Sequence, residues 1–465
     1  MAERELRSAP RMSDLEALMW NLDKDPHLTS VFANVTVLDC PPDREYLRRK
    51  LGRAVADIPR LRQRVVPAFG RLAPPTWEED PAFDLDYHLR WTALARPADQ
   101  RALMELATRL HQQPFERGRP LWEFTVVEGL PDGRAAMIQK LHHTVTDGVG
   151  GLRLAERFLD LERSPGEPDA VPPVDPRTTD GHGPTFVGRA LGTAGYMGRQ
   201  VADTAKSVTK GATTTLVHPD RWPGLAIEAG DTVGSVVRQV FGTNTARSPL
   251  WTERSLWREL VVLRVSFDDV KAAAKKHGVS INDVFVTAAT RAAAAVHRRA
   301  GQPVEELRMA RPMSTRDDAS AAGNAFSLTR TLMPTDIEDP IEHLLAIHER
   351  LAATRGEKAF QVLDQLAGIM NVLPTSTLVA AARHQAETVD FTTSNLRGAP
   401  FPLFFGGAQI VENYPVGPLA GTAFNLTMLS YAGELHLGLL ADTAAVRDPE
   451  ALRDALADAF EELTS

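Results

Sequence analysis

The sequence predicts an α+β protein of about two domains, built as mixed sandwiches of sheet and helix. Three observations carry this. A chain of 465 residues has material for two domains with large cores. Strand-like and helix-like stretches alternate irregularly, which argues against a doubly wound parallel sheet. Hairpin signals stand at Leu130-Pro131-Asp132-Gly133 and across Tyr431-Ala432-Gly433.

The elements follow in order. Met12 to Leu22 reads as a short helix capped by Ser13 or Asp14, and Val31 to Leu38 as a strand ended by Cys40-Pro41-Pro42. Asp43 to Ile58 is an amphipathic helix with Leu47, Leu51, Val55 and Ile58 inward. Leu61 to Val66 and Leu85 to Trp91 are strand-like. Pro97 to Gln113 reads as a helix with Pro97 at its first position. Leu121 to Glu128 and Arg134 to His142 form the first hairpin, and Val149 to Leu161 reads as a helix. Arg163 to Pro184 is Pro-rich and reads as a linker, followed by a helix-like stretch from Thr185 to Thr215.

Later in the chain, Glu259 to Val265 is a strand, and Ser266 with Asp269 opens a helix closing near His277-Gly278. Asn282 and Asp283 read as cap and first-turn residues of an Ala-rich helix to Arg299. Leu307 to Met313 and Ala325 to Met333 are strands; Pro340 to Gly356 and Gln361 to Val372 are helices. Val389 to Ser394 reads as a buried strand, Phe424 to Ser430 and Glu434 to Leu440 as the second hairpin. Asp448-Pro449 opens the last helix. The expected division is 1–163, a linker and connecting helix over 164–250, and 251–465.

Composition narrows the function classes. Hydrophobic residues at 43% and charged residues at 24% suit a globular protein. A net charge of −8 argues against a nucleic-acid surface. The single cysteine, Cys40, excludes an intrachain disulfide and a Cys-cluster metal site. Met1 to Asp14 lacks the apolar core of a signal peptide, and no run of about 18 apolar residues occurs. A cytoplasmic location is expected, with peripheral contact with a membrane or lipid droplet left open.

The chemistry-bearing stretch is Leu141-His142-His143-Thr144-Val145-Thr146-Asp147-Gly148, at the end of a buried strand. Strand ends are where rigid scaffolds present reactive groups, and imidazole exchanges protons near neutral pH. Alternation sends His142 and His143 to opposite faces, so one can face a cavity while the other braces the turn. Asp147 supplies a carboxylate, and Gly148 a residue free to take positive φ.

Together with Pro120-Leu121-Trp122, Asn282-Asp283-Val284, Arg311-Pro312-Met313-Ser314-Thr315-Arg316 and Gly323-Asn324, this HHxxxDG pattern resembles the chloramphenicol-acetyltransferase-like superfamily. Ser394-Asn395-Leu396-Arg397-Gly398 and the run from Asn425 to Gly433 closing on Asp442 extend the match. The ordered set resembles bacterial wax ester synthase/diacylglycerol acyltransferases. The resemblance implies two similar sandwich domains with a substrate channel between them. It implies acyl transfer from a long-chain acyl-CoA to a diacylglycerol or fatty alcohol, with His143 as general base and His142 shaping the site. Asp147 is implied as a structural holder of the loop. Gly148, Trp122, Asn282, Asp283, Ser394 and Asn395 are implied as substrate-binding or site-supporting. CoA enters with the donor and leaves as product, and no metal or prosthetic group is implied.

Two departures from the family pattern stand out: Thr144 where alanine is common, and Leu396-Arg397 where Val-Pro is usual. Three alternatives remain at this level. A condensation-type enzyme would take its acyl group from a carrier protein. A lipid-binding protein would turn nothing over. A zinc site is the poorest fit, since adjacent histidines on opposite strand faces make poor joint ligands.

Overall fold

A computed structural model describes residues 10–68, 73–146, 151, 154–164, 166, 247–314, 326–354 and 374–465. The N-terminal half forms α1 (Asp14–Leu22), β1 (Val31–Leu38), α2 (Arg44–Asp57), β2 (Gln63–Val66), β3 (Thr76–Glu79), α3 (Leu85–His88), β4 (Leu89–Ala93), α4 (Gln100–Gln112), β5 (Trp122–Glu128) and β6 (Ala135–His142). The C-terminal half adds β7 (Arg258–Ser266), α5 (Phe267–His277), α6 (Ile281–Arg299), β8 (Glu306–Ser314), β9 (Phe326–Pro334), α7 (Pro340–Thr354) and α8 (Thr375–Glu387). It closes with β10 (Phe391–Arg397), β11 (Phe404–Phe405), β12 (Ala408–Val416), β13 (Phe424–Tyr431), β14 (Glu434–Asp442) and α9 (Pro449–Thr464).

Among the described residues the strands make two six-stranded sheets, β11-β12-β1-β6-β5-β4 and β7-β14-β13-β10-β8-β9, and a separate β2-β3 ladder. β11 and β12 come from the C-terminal half yet extend the first sheet: β12 runs antiparallel to β1, with Ala33 opposite Val416 and Thr36 opposite Asn413. A contiguous division near residue 251 does not capture this crossing. The expected linker over 164–250 lies almost wholly outside the described residues, as do the expected helices over 185–215 and 361–372 and part of that over 149–161.

Local chemistry explains the element ends. Ser13 accepts the Glu16 N–H while Glu16 answers to the Ser13 N–H, a reciprocal cap on α1. α5 ends on Gly278 at φ 69, where a left-handed residue closes the last turn. The Ala-rich α6 buries Val284, Phe285, Ala288, Ala289, Ala292 and Ala293; small side chains let it lie close against α9 in one core.

Several expectations are corrected. Leu85 to His88 is a helical turn, because the Asp84 side chain accepts the Asp86 N–H; the strand is β4. α4 is capped by Asp99, not opened by Pro97: Ala98 adopts φ 58, which breaks any helical path from the proline. α8 has no counterpart in the sequence reading. Leu378 and Gln385 are its buried residues, too sparse a stripe for periodicity to register. β12 was likewise not anticipated. It follows the positive-φ pair Gly406-Gly407 and carries Pro415, whose missing N–H is tolerated because two-residue β11 does not reach that far.

Candidate active site in the channel between the sheets

The two sheets face each other across a cavity of about 1500 Å³ with mostly apolar walls. Strand alternation builds one wall. Ser30, Phe32, Asn34 and Thr36 along β1 and its lead-in, and Gln139, Leu141 and His143 along β6 and its end, all reach it. Asn413 and Pro415 of β12 continue that wall, and residues of β10 and β13, among them Ser394, Asn425 and Thr427, form the other.

The same alternation turns His142 away. Its ring is fully buried, edge-on to Trp20 at 6.4 Å and to Phe115 at 6.5 Å. The Thr144 N–H donates to His142 Nδ1 at 3.1 Å, and the Thr144 hydroxyl lies 2.7 Å from the same atom. A backbone N–H can only donate, so Nδ1 is the acceptor and Nε2 carries the hydrogen in the neutral ring. Nε2 stands 3.5 Å from Asp23 Oδ1. Burial pushes the Asp23 carboxyl up, but His142, the Thr29 hydroxyl and Arg117 outweigh it and hold it below the usual carboxylate range.

His143 is half-buried on the cavity wall, its ring 4.8 Å from that of Phe32. Its backbone N–H donates to the Ser30 carbonyl at 3.0 Å. Burial, with the field of His142 second, pushes its imidazole down to about 3. The ring is therefore neutral near pH 7 and able to accept a proton.

The structure brings Asn282, Ser394 and Asn395 to the same cavity as His143. Asn395 Nδ2 donates to Asn282 Oδ1 at 3.4 Å, joining the end of β10 to the first turn of α6. Both members of the Leu396-Arg397 departure also line the cavity. Gly398 is required: its N–H donates to the Ser430 carbonyl at 2.9 Å, and a Cβ there would come within 2.5 Å of that oxygen.

Two expected residues act from behind the wall. The N-cap of α6 is Ser280, so Asn282 and Asp283 are second- and third-position residues rather than the cap. Buried Asp283 accepts the Ser280 N–H at 2.8 Å and lies 2.8 Å from His348 Nδ1, tying α6 to α7. Trp122 donates from Nε1 to the Leu61 carbonyl at 2.7 Å and stacks on His88, so it supports the strand before the His pair without lining the cavity. Asp147 and Gly148 lie outside the described residues. Among the described residues no three His, Cys, Asp or Glu side chains gather as a metal-binding group.

Sequence reading missed Asp23 and the polar wall residues Asn34, Thr36, Gln139 and Asn413. The available signal was the alternation of Phe32, Asn34 and Thr36 with Val31, Ala33, Val35 and Val37, which marks a second, partly polar face on β1.

The wax ester synthase/diacylglycerol acyltransferase catalytic-domain model matches residues 12–285, and the matching C-terminal-domain model residues 322–464. A Mycobacterium tuberculosis protein with the provisional name diacylglycerol O-acyltransferase is 31% identical over 467 residues, covering 98% of this chain and 92% of the relative. A second from that organism, also provisionally so named, is 29% identical over 461 residues, covering 95% and 93%. Among solved structures, the wax ester synthase/diacylglycerol acyltransferase from Marinobacter aquaeolei VT8 matches with a TM-score of 0.65 at 20% identity, covering 97% of this chain and 98% of that one. The first condensation domain of the calcium-dependent antibiotic synthetase matches at 0.61 and 15%, covering 98% and 96%. At these identities the two structures speak for the shared chloramphenicol-acetyltransferase-like fold alone. The two matched domains and the near full-length relatives establish that this chain belongs to the wax ester synthase/diacylglycerol acyltransferase family.

Proposed function

We propose that this protein is an O-acyltransferase moving a long-chain acyl group from acyl-CoA to the hydroxyl of a diacylglycerol or a fatty alcohol. The observation that carries the reading is a neutral His143 on the wall of an apolar channel of about 1500 Å³. Ordinary ligand pockets run to about 300–1,000 Å³, so this one has room for two long-chain substrates. A ring nitrogen of His143 takes the proton from the acceptor alcohol as its oxygen attacks the thioester carbonyl. The C–O bond forms, the C–S bond breaks, and the leaving thiolate recovers the proton as free CoA. The tetrahedral oxyanion needs donors, and Asn282, Ser394 and Asn395 are the side chains within the cavity proposed to support it. Asp147 and Gly148 are proposed to hold the loop after the His pair. The step as proposed calls on no metal or prosthetic group.

No helix among the described residues is long and apolar enough to cross a membrane. Exposed Leu161 and Phe401 stand at the edge of the cavity, which supports peripheral contact with a membrane or lipid droplet as the route for lipid substrates.

The test is thiol release and ester formation from labelled acyl-CoA with diacylglycerol and fatty-alcohol acceptors. Wild-type protein should form ester with release of CoA. Tight lipid binding with no CoA release would instead make it a lipid-binding protein.

A further inference from the structure

A row of side-chain amides lies along the channel wall, out of place on a path that only an acyl chain would follow. Asn34 of β1 stands opposite Gln139 of β6, and Thr36 of β1 opposite Asn413 of β12. Asn34 Nδ2 donates to Thr36 Oγ1 at 2.9 Å and to Asn413 Oδ1, and the Thr36 hydroxyl donates to Asn413 Oδ1 at 3.0 Å. That network occupies Asn34 Nδ2 and Asn413 Oδ1. It leaves Asn34 Oδ1 as an acceptor and Asn413 Nδ2 as a donor, without a protein partner among the described residues. Exchanging O and N in both amides swaps the roles but still leaves one donor and one acceptor. The Gln139 amide is likewise unpaired among the described residues, and all three side chains are partly open to the cavity.

Position along the wall matters. Gln139 is four residues before His143 on the same face, roughly 13 Å at about 3.3 Å per residue, with Leu141 and Phe32 between. Any substrate that reaches His143 along this wall passes the row. Once the channel is filled and dry, each unmatched donor or acceptor weakens binding by about ten-fold. The substrates differ in what they offer. A fatty alcohol has nothing beyond its hydroxyl. A diacylglycerol adds ester oxygens, which only accept. The pantetheine arm of a thioester donor carries two secondary amides, spaced much as peptide groups are, and each supplies both a donor and an acceptor.

We infer that the Gln139–Asn34–Asn413 row is the binding site for the pantetheine amides of the donor, with the thioester placed at His143. The inference rests on the thioester-donor reading given above. It assigns the wall of β1, β6 and β12 to the donor arm. The row then selects donors by their amides and leaves the acyl chain to the apolar surfaces.

The experiment uses one acyl group on three thiols: pantetheine with two amides, N-acetylcysteamine with one, and ethanethiol with none. Each is tested on wild type, Gln139→Leu and Asn413→Leu with a fixed fatty-alcohol acceptor. In wild type kcat/KM should fall about ten-fold per amide removed. In each variant the ratio between the pantetheine and ethanethiol donors should shrink about ten-fold, with the acceptor KM unmoved. Gln139→Leu breaks no side-chain hydrogen bond among the described residues, so it decides the matter if Asn413→Leu fails to fold. An unchanged ratio in the folded variants, or a raised acceptor KM in place of a changed donor ratio, would overturn the assignment. A wild type that uses all three thioesters alike sinks the amide row alone. A wild type that transfers from none sinks the transferase reading with it.

Discussion

Asp23 Oδ1 stands 3.5 Å from His142 Nε2, and the same oxygen accepts the Ser30 N–H at 3.3 Å. Ser30 in turn accepts the His143 N–H through its carbonyl. One carboxylate at the end of α1 thus lies beside both histidines, 3.5 Å from the ring of one and bonded to the backbone next to the other. Arg117 caps the arrangement, 3.9 Å from Asp23 and over the Trp20 ring at 3.5 Å.

Asp23→Ala is therefore expected to lower kcat by on the order of 10²-fold, the effect of displacing a reacting group by about 1 Å. Thr144→Ala should cost less than about ten-fold, because the Thr144 N–H to His142 Nδ1 survives the change. Acyl-transfer kinetics beside circular dichroism checks both. An Asp23→Ala protein as active as wild type would remove the brace from the account.

His143→Ala is expected to lose about 10²–10⁴ in rate, the usual contribution of a positioned proton acceptor. The pH profile adds a sharper check. A base works only when unprotonated, so activity is lost as pH falls through the folded pKa. With His143 pushed down to about 3, kcat/KM should stay level from pH 7.5 to about 5. An acid limb near the ordinary imidazole value of about 6.5 would mean that water solvates the ring.

Acid should destabilise the fold through histidines that take no part in the reaction. His88, His343 and His436 are pushed down to about 4 and His111 to about 3, each chiefly by burial. The unfolded chain binds protons at these groups from about pH 6.5 downward while the folded one refuses them. Stability is thus complete above about pH 6.5 and falls as pH drops toward 4, by about 1.4 kcal/mol per pH unit per group. Asp390, raised by burial against the Arg308 and Ser248 N–H groups, has the opposite sign, but it is one group against four. Melting temperatures measured between pH 7 and 4.5 should fall steeply below 6.5. A flat profile would contradict the buried neutral state of these rings.

Gly438 of β14 lies against β12 where the two sheets meet; a Cβ there would overlap the Pro415 carbonyl oxygen. Neither side is a movable side-chain tip, so Gly438→Ala must push strands apart. A loss of about 1–3 kcal/mol or more is expected, with reduced activity because Pro415 lines the channel. Gly118→Ala, with nothing within 4 Å of the added carbon, should stay within about 0.5 kcal/mol. Thermal melts of the pair distinguish packing at the sheet junction from a general intolerance of alanine.

Much of the fold was legible because its signals are local. Ser266 and Asp448 cap their helices as read, Ser13 is the one of the two offered residues that caps α1, and the two hairpins form where the turn residues stand. The opposite orientations of His142 and His143 follow from strand alternation alone. The failures share a cause. α8 buries too little of itself to show a stripe, Ala98 breaks the entry to α4 by a backbone angle, and β12 pairs with a strand some 370 positions earlier.

The sequence by itself determined the family resemblance, the mixed α+β architecture and the opposite faces of His142 and His143, because motifs, caps, turns and period-two alternation act within a few residues. Only the tertiary structure decided that Asp23 lies behind the His pair, that Asn34, Gln139 and Asn413 share one wall, and that a second sheet closes over them. Those relations join segments from about one hundred to nearly four hundred residues apart. They arise when two apolar faces are buried and their polar remainder is left along the gap, and no local pattern records which strand will stand beside which.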